Sequence, residues 1–546
     1  MQGMQGLPQG MQIALDDNGQ PFILLRDQQE RKRLSGLDAH KANIQAARQV
    51  ADPLRTSFGP KGMDKIIVGP DGELTITNDG ATILEKMDVG HPCAKLLVDL
   101  SQSQDNEIGD GTTGVVIFAG ALLREAQQLL DKGLHPLKVI DGYDVACKAA
   151  LDALPALAVE IDIEANSNEA LLKAAETSLG SKVVHSQKSE LARMCVDAVL
   201  AVADLDRRDV DFELIKVESK AGGRLDESEL VHGIVLDKDF AHNQMKKEVI
   251  DAKIAILTCA FEPPKPKTKH KVNLRSAEDY KALQQAESDY FADMVQRIKA
   301  SGANVVMCQW GFDDEMTHLL FHHGICAVRW VGGVEIELLA LATGARIVPR
   351  FEELTSEKLG HAGRVREVTS GTEGDTVVII DGCPETKAVS LVLRGGTRAV
   401  CAEAKRSVHD ALCAVRNLVT DRRIVPGGGA SEIACSNAVE RTATETRTVE
   451  HYAVRAYANA LASLPEALAD NSGLDAIAVV AELKTHHLEG RNTAYGVDCM
   501  HDGIGDMKAA GVYESYISKT NQLALATQVV KMILKIDDVI EDNTSV

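Results

Sequence analysis

The sequence predicts an α+β, multidomain fold, with a mainly helical unit built from both chain ends and α/β segments inserted between them. Three observations predict it. The chain has 546 residues, too many for one hydrophobic core and suited to two to four domains. Helical periodicity dominates residues 34–156 and returns after Arg394-Gly395-Gly396. Between about 231 and 382, short apolar strands alternate with helical patterns, which signals parallel strands covered by helices.

The elements follow in order. Residues 1–12, rich in Gln, Gly and Met, lack the apolar run of a signal peptide and read as a disordered tail. Residues 65–68 and 73–77 are β-prone, and Gly69-Pro70-Asp71-Gly72 turns between them. Helices then start near 94 and at 113, and His135-Pro136 introduces another that runs to about 156. Leu154-Pro155 and the acidic stretch after Glu160 mark a change of character. Residues 159–220 are read as one helix over 184–203 and a strand over 212–217, with Gly222-Gly223 as a hinge.

In the middle, strands are expected at 253–258, 304–308 and 327–331, with helices at 277–299, 313–323 and 334–342. The Pro- and Lys-rich run 261–271 cannot enter a core and should project from its domain. A strand over 388–393 leads into a helix through 414. Pro426-Gly427-Gly428-Gly429 opens another helix, and 532–536 reads as β-prone.

Composition narrows the function. Acidic side chains number 80 and basic ones 59, a formal charge of −21, which argues against non-specific nucleic-acid or anionic-membrane binding. Eleven cysteines without a C-x-x-C pair suggest buried thiols in a reducing compartment, not a disulfide frame or zinc site. No apolar run is long enough to span a membrane. The expectation is a soluble, cytoplasmic protein.

The most informative segment is Gly109-Asp110-Gly111-Thr112-Thr113-Gly114, followed by a long apolar run. A polar glycine loop opening a buried helix offers backbone N–H groups to phosphate, and Asp110 can hold the Mg²⁺ that accompanies ATP. The same letters fit the dinucleotide fingerprint, but no strand precedes them. A tight turn between helices without a ligand is the plainer alternative. No Gly-Lys dipeptide occurs, so a P-loop is excluded, and kinase signatures are absent. Gly59, Asp79 and Gly427 lie in further loops beside helices. Taken singly, each has an ordinary reading: a helix stop for Gly59, a capping aspartate for Asp79, a solvated or ion-paired acid for Asp410. An ATP-dependent metabolic enzyme is a rival and would need converging acid/base residues near the middle strands, where only scattered ones such as Asp313 and Asp314 occur.

Six motifs occur in order: Thr56-Ser57-Phe58-Gly59-Pro60-Lys61-Gly62, Thr77-Asn78-Asp79-Gly80-Ala81-Thr82, the 109–114 loop, Arg394-Gly395-Gly396, His409-Asp410-Ala411-Leu412 and Gly427-Gly428-Gly429. The series resembles that of group II chaperonins over nearly the whole chain. Stretches 207–217, 262–267, 308–315 and 328–333 resemble one subunit type of the eukaryotic TRiC/CCT complex, with an archaeal-type homo-oligomer as the alternative. The resemblance implies an equatorial ATP-binding domain (1–158 and 421–546), an intermediate hinge domain (159–230 and 388–420) and an apical substrate-binding domain (231–387) with a helical lid near 263–289. It implies an ATP-dependent chaperone in a double ring of paralogous subunits, with non-native clients such as actin and tubulin and prefoldin-type co-chaperones. In that family pattern Asp110 would bind Mg²⁺. Gly59, Pro60, Gly111, Thr112, Thr113, Gly180, Ser181, Lys182, Gly427, Gly428 and Glu514 would bind the nucleotide, with Lys182 at the γ-phosphate and Glu514 at the ribose or base. Asp79 and Asp410 would position and activate water. Glu514 departs from the aspartate that many members carry.

Overall fold

A computed structural model describes residues 11–15, 21–25, 36–70, 72–162, 168–262, 276–370, 375–384, 388–488, 492–501 and 503–539. Residues 1–10 of the expected tail lie outside these. Met11 and Gln12 do not continue it: they begin the strand Met11–Leu15, which pairs antiparallel with Pro21–Leu25.

The largest core joins both ends of the chain. Thr112–Asp131 runs through its centre, apolar on nearly all sides, with Val115, Val116, Phe118, Ala119, Leu122 and Leu123 buried. Around it pack Leu37–Arg55, Pro92–Glu107, Pro136–Ala153, Ala430–Glu445, His451–Ser472 and Tyr516–Lys535. Tyr457 meets Phe118 and Tyr143 edge-on at 5.5 and 5.6 Å, and its hydroxyl reaches Thr527 Oγ1 at 2.9 Å. The 532–536 run is not a strand. Val530, Ile533 and Leu534 complete the buried stripe begun by Leu523 and Ala526, so helical periodicity overrides local β-propensity.

A second core gathers Glu169–Leu179, Lys188–Val202 and Arg398–Thr420 beside a three-stranded sheet. In that sheet Val389–Gly395 lies parallel to Ile215–Ala221 and antiparallel to Glu229–Val231. The helix Glu169–Leu179 corrects the expectation of a single helix here. Its buried Leu171, Ala174, Ala175 and Leu179 carry the helical spacing, although an acidic stretch precedes them. The expected 212–217 strand opens as a 3₁₀ turn, Phe212–Leu214, and the expected 184–203 helix likewise opens with Val183–Gln187.

The third core surrounds a six-stranded sheet ordered Cys326–Val328, Val305–Cys308, Glu248–Leu257, Gly360–Ser370, Asp375–Asp381, Gly233–Leu236. The first three strands are parallel, as expected, but the other three are antiparallel, so the sheet is mixed. The expected 327–331 strand stops at Val328, because Trp330 turns the chain with φ 57°. The helix Ala277–Ser301 buries Phe291, Met294, Val295 and Ile298 in its C-terminal half, while Tyr280 and Leu283 in the other half are exposed. Most of the Pro/Lys-rich run lies outside the described residues.

Helices in the first core approach closely. A Cβ on Gly142 would stand 2.5 Å from the Ala453 Cβ and 3.0 Å from the Glu450 carbonyl oxygen. Gly142→Ala gains about 1 kcal/mol of helix propensity but overpacks the contact at about 1–3 kcal/mol. The expected net result is a lower midpoint in denaturant unfolding. A stabilised variant would contradict the close approach.

Candidate functional site

Gly109-Asp110-Gly111 links the end of Pro92–Glu107 to the start of Thr112–Asp131, so a helix, not a strand, precedes it and the dinucleotide reading fails. Gly111 caps the second helix in the left-handed region, φ 77°, and a Cβ there would fall 1.9 Å from Gln522 Nε2. Gly111 has no side chain to cap this helix, and among the described residues no side chain takes the cap position on its first N–H groups. Asp110 Oδ1 accepts from the Gly111 N–H at 2.9 Å.

Asp79 does cap a helix, Gly80–Lys86, as its plainer reading required, and it also reaches further. Its Oδ2 accepts from Thr82 N at 3.0 Å and Thr82 Oγ1 at 2.8 Å. Its Oδ1 accepts from Thr112 Oγ1 at 2.9 Å. Gly80 N donates to Thr113 Oγ1 at 3.1 Å, and a Cβ on Gly80 would press within 2.8 Å of the Thr113 backbone. Both threonines of the loop thereby lock onto the Asp79 turn.

Two further segments meet these loops. Asn78 Nδ2 donates to the Ser181 carbonyl, which brings Gly180, Ser181 and Lys182 against them. Lys182 Nζ lies 2.7 Å from Asp410 Oδ2, with the two side chains only 9% and 14% exposed. Asp410 rides on Arg398–Thr420, which is anchored by Thr77 Oγ1 donating to Glu403 Oε1 at 3.2 Å and Asn417 Nδ2 donating to the Ile108 carbonyl at 2.9 Å. Asp410 is thus ion-paired, as its ordinary reading held, but the pair is buried among carboxylates.

Electrostatics binds the group together. Burial pushes the Asp410 carboxyl up to about 8 against the pull of Lys182, and Asp79 and Asp110 push in the same direction as burial. Burial likewise raises Asp110 above the usual carboxylate range, with Lys182 opposing. Burial would also raise Asp79, but Lys182 and the donors Thr82 and Thr112 outweigh it and hold Asp79 below that range. Burial disfavours the Lys182 ammonium, yet Asp410 and Asp79 prevail and keep it charged. Three carboxyls face one ammonium, a set short of positive charge. Hard oxygen donors with that deficit fit Mg²⁺. Among the described residues no three His, Cys, Asp or Glu side chains form a metal cage.

Gly59 and Pro60 lie on the loop after Leu37–Arg55. Asn471 Nδ2 holds that loop by donating to the Arg55 and Phe58 carbonyls, each at 2.8 Å. The Phe58 ring stands 3.5 Å from where a Cβ of Gly114 would be, so the Gly59 loop borders the same helix start. Gly427 N donates to the Val512 carbonyl at 3.1 Å, and a Cβ on Gly427 would lie 3.2 Å from Glu514 Oε1. Gly428 O accepts from Val497 N at 2.8 Å. Glu514 sits on Tyr513–Ser515, opposite Val425, with Oε2 2.6 Å from Lys519 Nζ, which also meets Glu432 at 2.5 Å. Burial raises Glu514 against the pull of Lys519, and Lys519 is raised because its two carboxylates outweigh burial. Asp313 caps Asp314–His322, where its Oδ1 accepts from Glu315 N.

Sequence reasoning missed Glu403, Glu432 and Lys519. Glu403, Ser407 and Asp410 share one helix face by spacing, a signal that was available. Glu432 and Lys519 meet only through the fold and give no local signal.

Comparison with known proteins places the chain. The TCP-1/cpn60 chaperonin family matches residues 50–544, and the chain belongs to that family. Its function is that of a chaperonin subunit. It is similar to T-complex protein 1 subunit epsilon of Encephalitozoon cuniculi (strain GB-M1), 49% identical over 531 residues, which are 97% of this chain and 99% of the relative. The sequence stretches that pointed to one TRiC/CCT subunit type pointed to epsilon, in agreement. Thermosome subunits of Methanocaldococcus jannaschii and Methanothermococcus thermolithotrophicus are each 41% identical. They match over 522 and 521 residues, 96% and 95% of this chain and 95% and 94% of those relatives.

The Asp410 shift has a sign. A carboxyl raised from 3.8 to about 8 favours the folded state while it can stay protonated, so its contribution is lost as pH rises through that window. Between about pH 6 and about pH 9 the nucleotide-free chain should lose more stability than Asp410→Asn does. Denaturant midpoints at the two pH values check this, and parallel losses would contradict it.

Proposed function

We propose that the chain is an ATP-hydrolysing subunit of a cytoplasmic hetero-oligomeric double ring that closes around non-native proteins such as actin and tubulin. The single observation that carries this is the convergence of Asp79, Asp110, Lys182 and Asp410 from four separate segments. In this reading the two-ended helical core is the equatorial domain, 1–158 and 421–546. The second core is the intermediate domain, 159–230 and 388–420, and the six-stranded sheet belongs to the apical domain, 231–387. The free half of Ala277–Ser301 would carry the lid.

Hydrolysis needs an in-line water and neutralised phosphate charge rather than covalent help. Asp110 would hold Mg²⁺, which supplies charge neutralisation when bound. The uncapped start of Thr112–Asp131 and the Gly59-Pro60 loop would face the phosphates. Gly427, Gly428 and Glu514 would take the nucleoside end, beside the Lys519–Glu432 pair. Asp79, fixed by three hydrogen bonds, would orient the water, and Asp410 would accept its proton. Lys182, with Gly180 and Ser181 before it, would exchange Asp410 for the γ-phosphate.

Asp79 and Asp110 stand on the two-ended core, whereas Asp410 stands on a helix of the second core. Movement between these cores would complete or break the site, coupling hydrolysis to closure. Ring assembly is supported by the hairpin Lys65–Val68 and Leu74–Thr77, which leaves Ile66, Val68 and Leu74 more than half exposed beside Met63. The higher identity to an epsilon subunit favours the hetero-oligomer over the archaeal-type ring.

In the assembled ring, Asp410→Ala should retain ATP binding while lowering turnover at this subunit by about 10²-fold, the scale of losing one positioned group. Single-subunit turnover, with the other sites silenced, checks it. Unchanged turnover would remove Asp410 from the mechanism.

A further inference from the structure

Gln104 lies in the last turn of Pro92–Glu107, one turn before the 109–114 loop, and is fully buried at 0% exposure. Its backbone carbonyl accepts from both Ile108 N at 3.0 Å and Gly109 N at 3.1 Å. Its side-chain Nε2 donates to the Asp110 carbonyl oxygen at 2.9 Å. One residue therefore ties the entry to the loop and the peptide after Asp110. That peptide supplies the Gly111 N–H on which Asp110 Oδ1 rests at 2.9 Å. Rotating the Asp110 carbonyl away from Gln104 would swing this N–H with it, because the peptide unit is planar.

The other amide atom, Oε1, is buried and has no hydrogen-bond partner among the described residues. Burying a glutamine amide and using half of it is unfavourable for packing alone, since an apolar side chain would fill the same place without an unsatisfied group. Met and Leu are nearly as good in a helix. The amide is therefore kept for the bond that it makes.

We propose that Gln104 is a positioning residue for Asp110: its amide fixes the Asp110–Gly111 peptide and so aims the carboxylate that holds the metal. The inference rests on the reading of Asp110 as the Mg²⁺ ligand. Gln104 touches neither metal nor nucleotide. It acts as outer hydrogen-bond partners of metal ligands do, where removal weakens metal binding by about 10–100-fold.

The test uses the assembled ring carrying Gln104→Met, which keeps length and volume but cannot donate. ADP affinity is titrated with a fluorescent analogue, without metal and across a Mg²⁺ series. The expected result is unchanged metal-free affinity, with the Mg²⁺ concentration for half-maximal enhancement raised about tenfold or more. Turnover should recover at high Mg²⁺, a shift in the metal requirement and not in kcat. A general packing defect would instead lower the metal-free affinity as well. Should Gln104→Met fail to enter rings, Gln104→Glu serves. Its protonated acid can donate to the same carbonyl, so Mg²⁺ binding should match the parent ring at low pH and fall below it as pH rises. A Mg²⁺ requirement unchanged in Gln104→Met, or a Gln104→Glu deficit independent of pH, overturns the positioning role. If the parent ring itself shows no Mg²⁺ enhancement, the Asp110 assignment falls first and this inference with it.

Discussion

Three carboxyl groups buried around one lysine are the constraint on which the rest of this structure depends. Burying a carboxylate is costly unless it is paired and hydrogen-bonded. Here Asp79 takes three hydrogen bonds and Asp410 takes the ammonium of Lys182, while Asp110 has one backbone N–H on Oδ1. Lys182 cannot neutralise all three, and burial raises Asp110 and Asp410. Such a set is at ease only when it holds protons or gains positive charge. A divalent cation brought in with an anionic nucleotide is chemistry of the second kind.

The fold serves that cluster by bringing distant segments to one place. The helix Thr112–Asp131 is buried along its length, so its polar start is fixed by the whole two-ended core. Asp79 reaches it from a hairpin, Glu514 stands on the strand that leads into Tyr516–Lys535, and Gln522 presses from that helix against Gly111. Asp410 arrives on a helix of a separate core, held to the first by Thr77–Glu403 and Asn417–Ile108 bonds. Ile424 and Tyr513 add apolar contact with the second core, so the boundary is joined by both polar and apolar groups.

Much of this was legible in the sequence because the chemistry is local. A glycine loop before a buried helix announces itself through residue type and spacing, and so do Asp79 before Gly80 and the alternation in the middle of the chain. Long-range pairing was not legible. The strand Gly360–Ser370 pairs antiparallel with the distant Glu248–Leu257, and nothing local decides direction between strands so far apart in sequence. Lys519 and Glu432 are separated by 87 positions and become a buried pair only in the folded chain. The helix Glu169–Leu179 was hidden by an acidic run before it, although its own apolar spacing was regular. The β-prone end at 532–536 shows the converse, since buried periodicity across a helix outweighs the propensity of its last turn.

The central claim is that the buried Asp410 carboxyl holds its proton until metal and nucleotide arrive. Calorimetric titration of the nucleotide-free ring with Mg²⁺ and ADP, in buffers of different ionisation enthalpy near pH 7, measures it directly, because positive charge brought beside a protonated carboxyl lowers its pKa and releases its proton. The account predicts net proton release at this subunit's site that is diminished when Asp410 is replaced by Asn. Binding with no proton exchange, or release unaltered by Asp410→Asn, would contradict it.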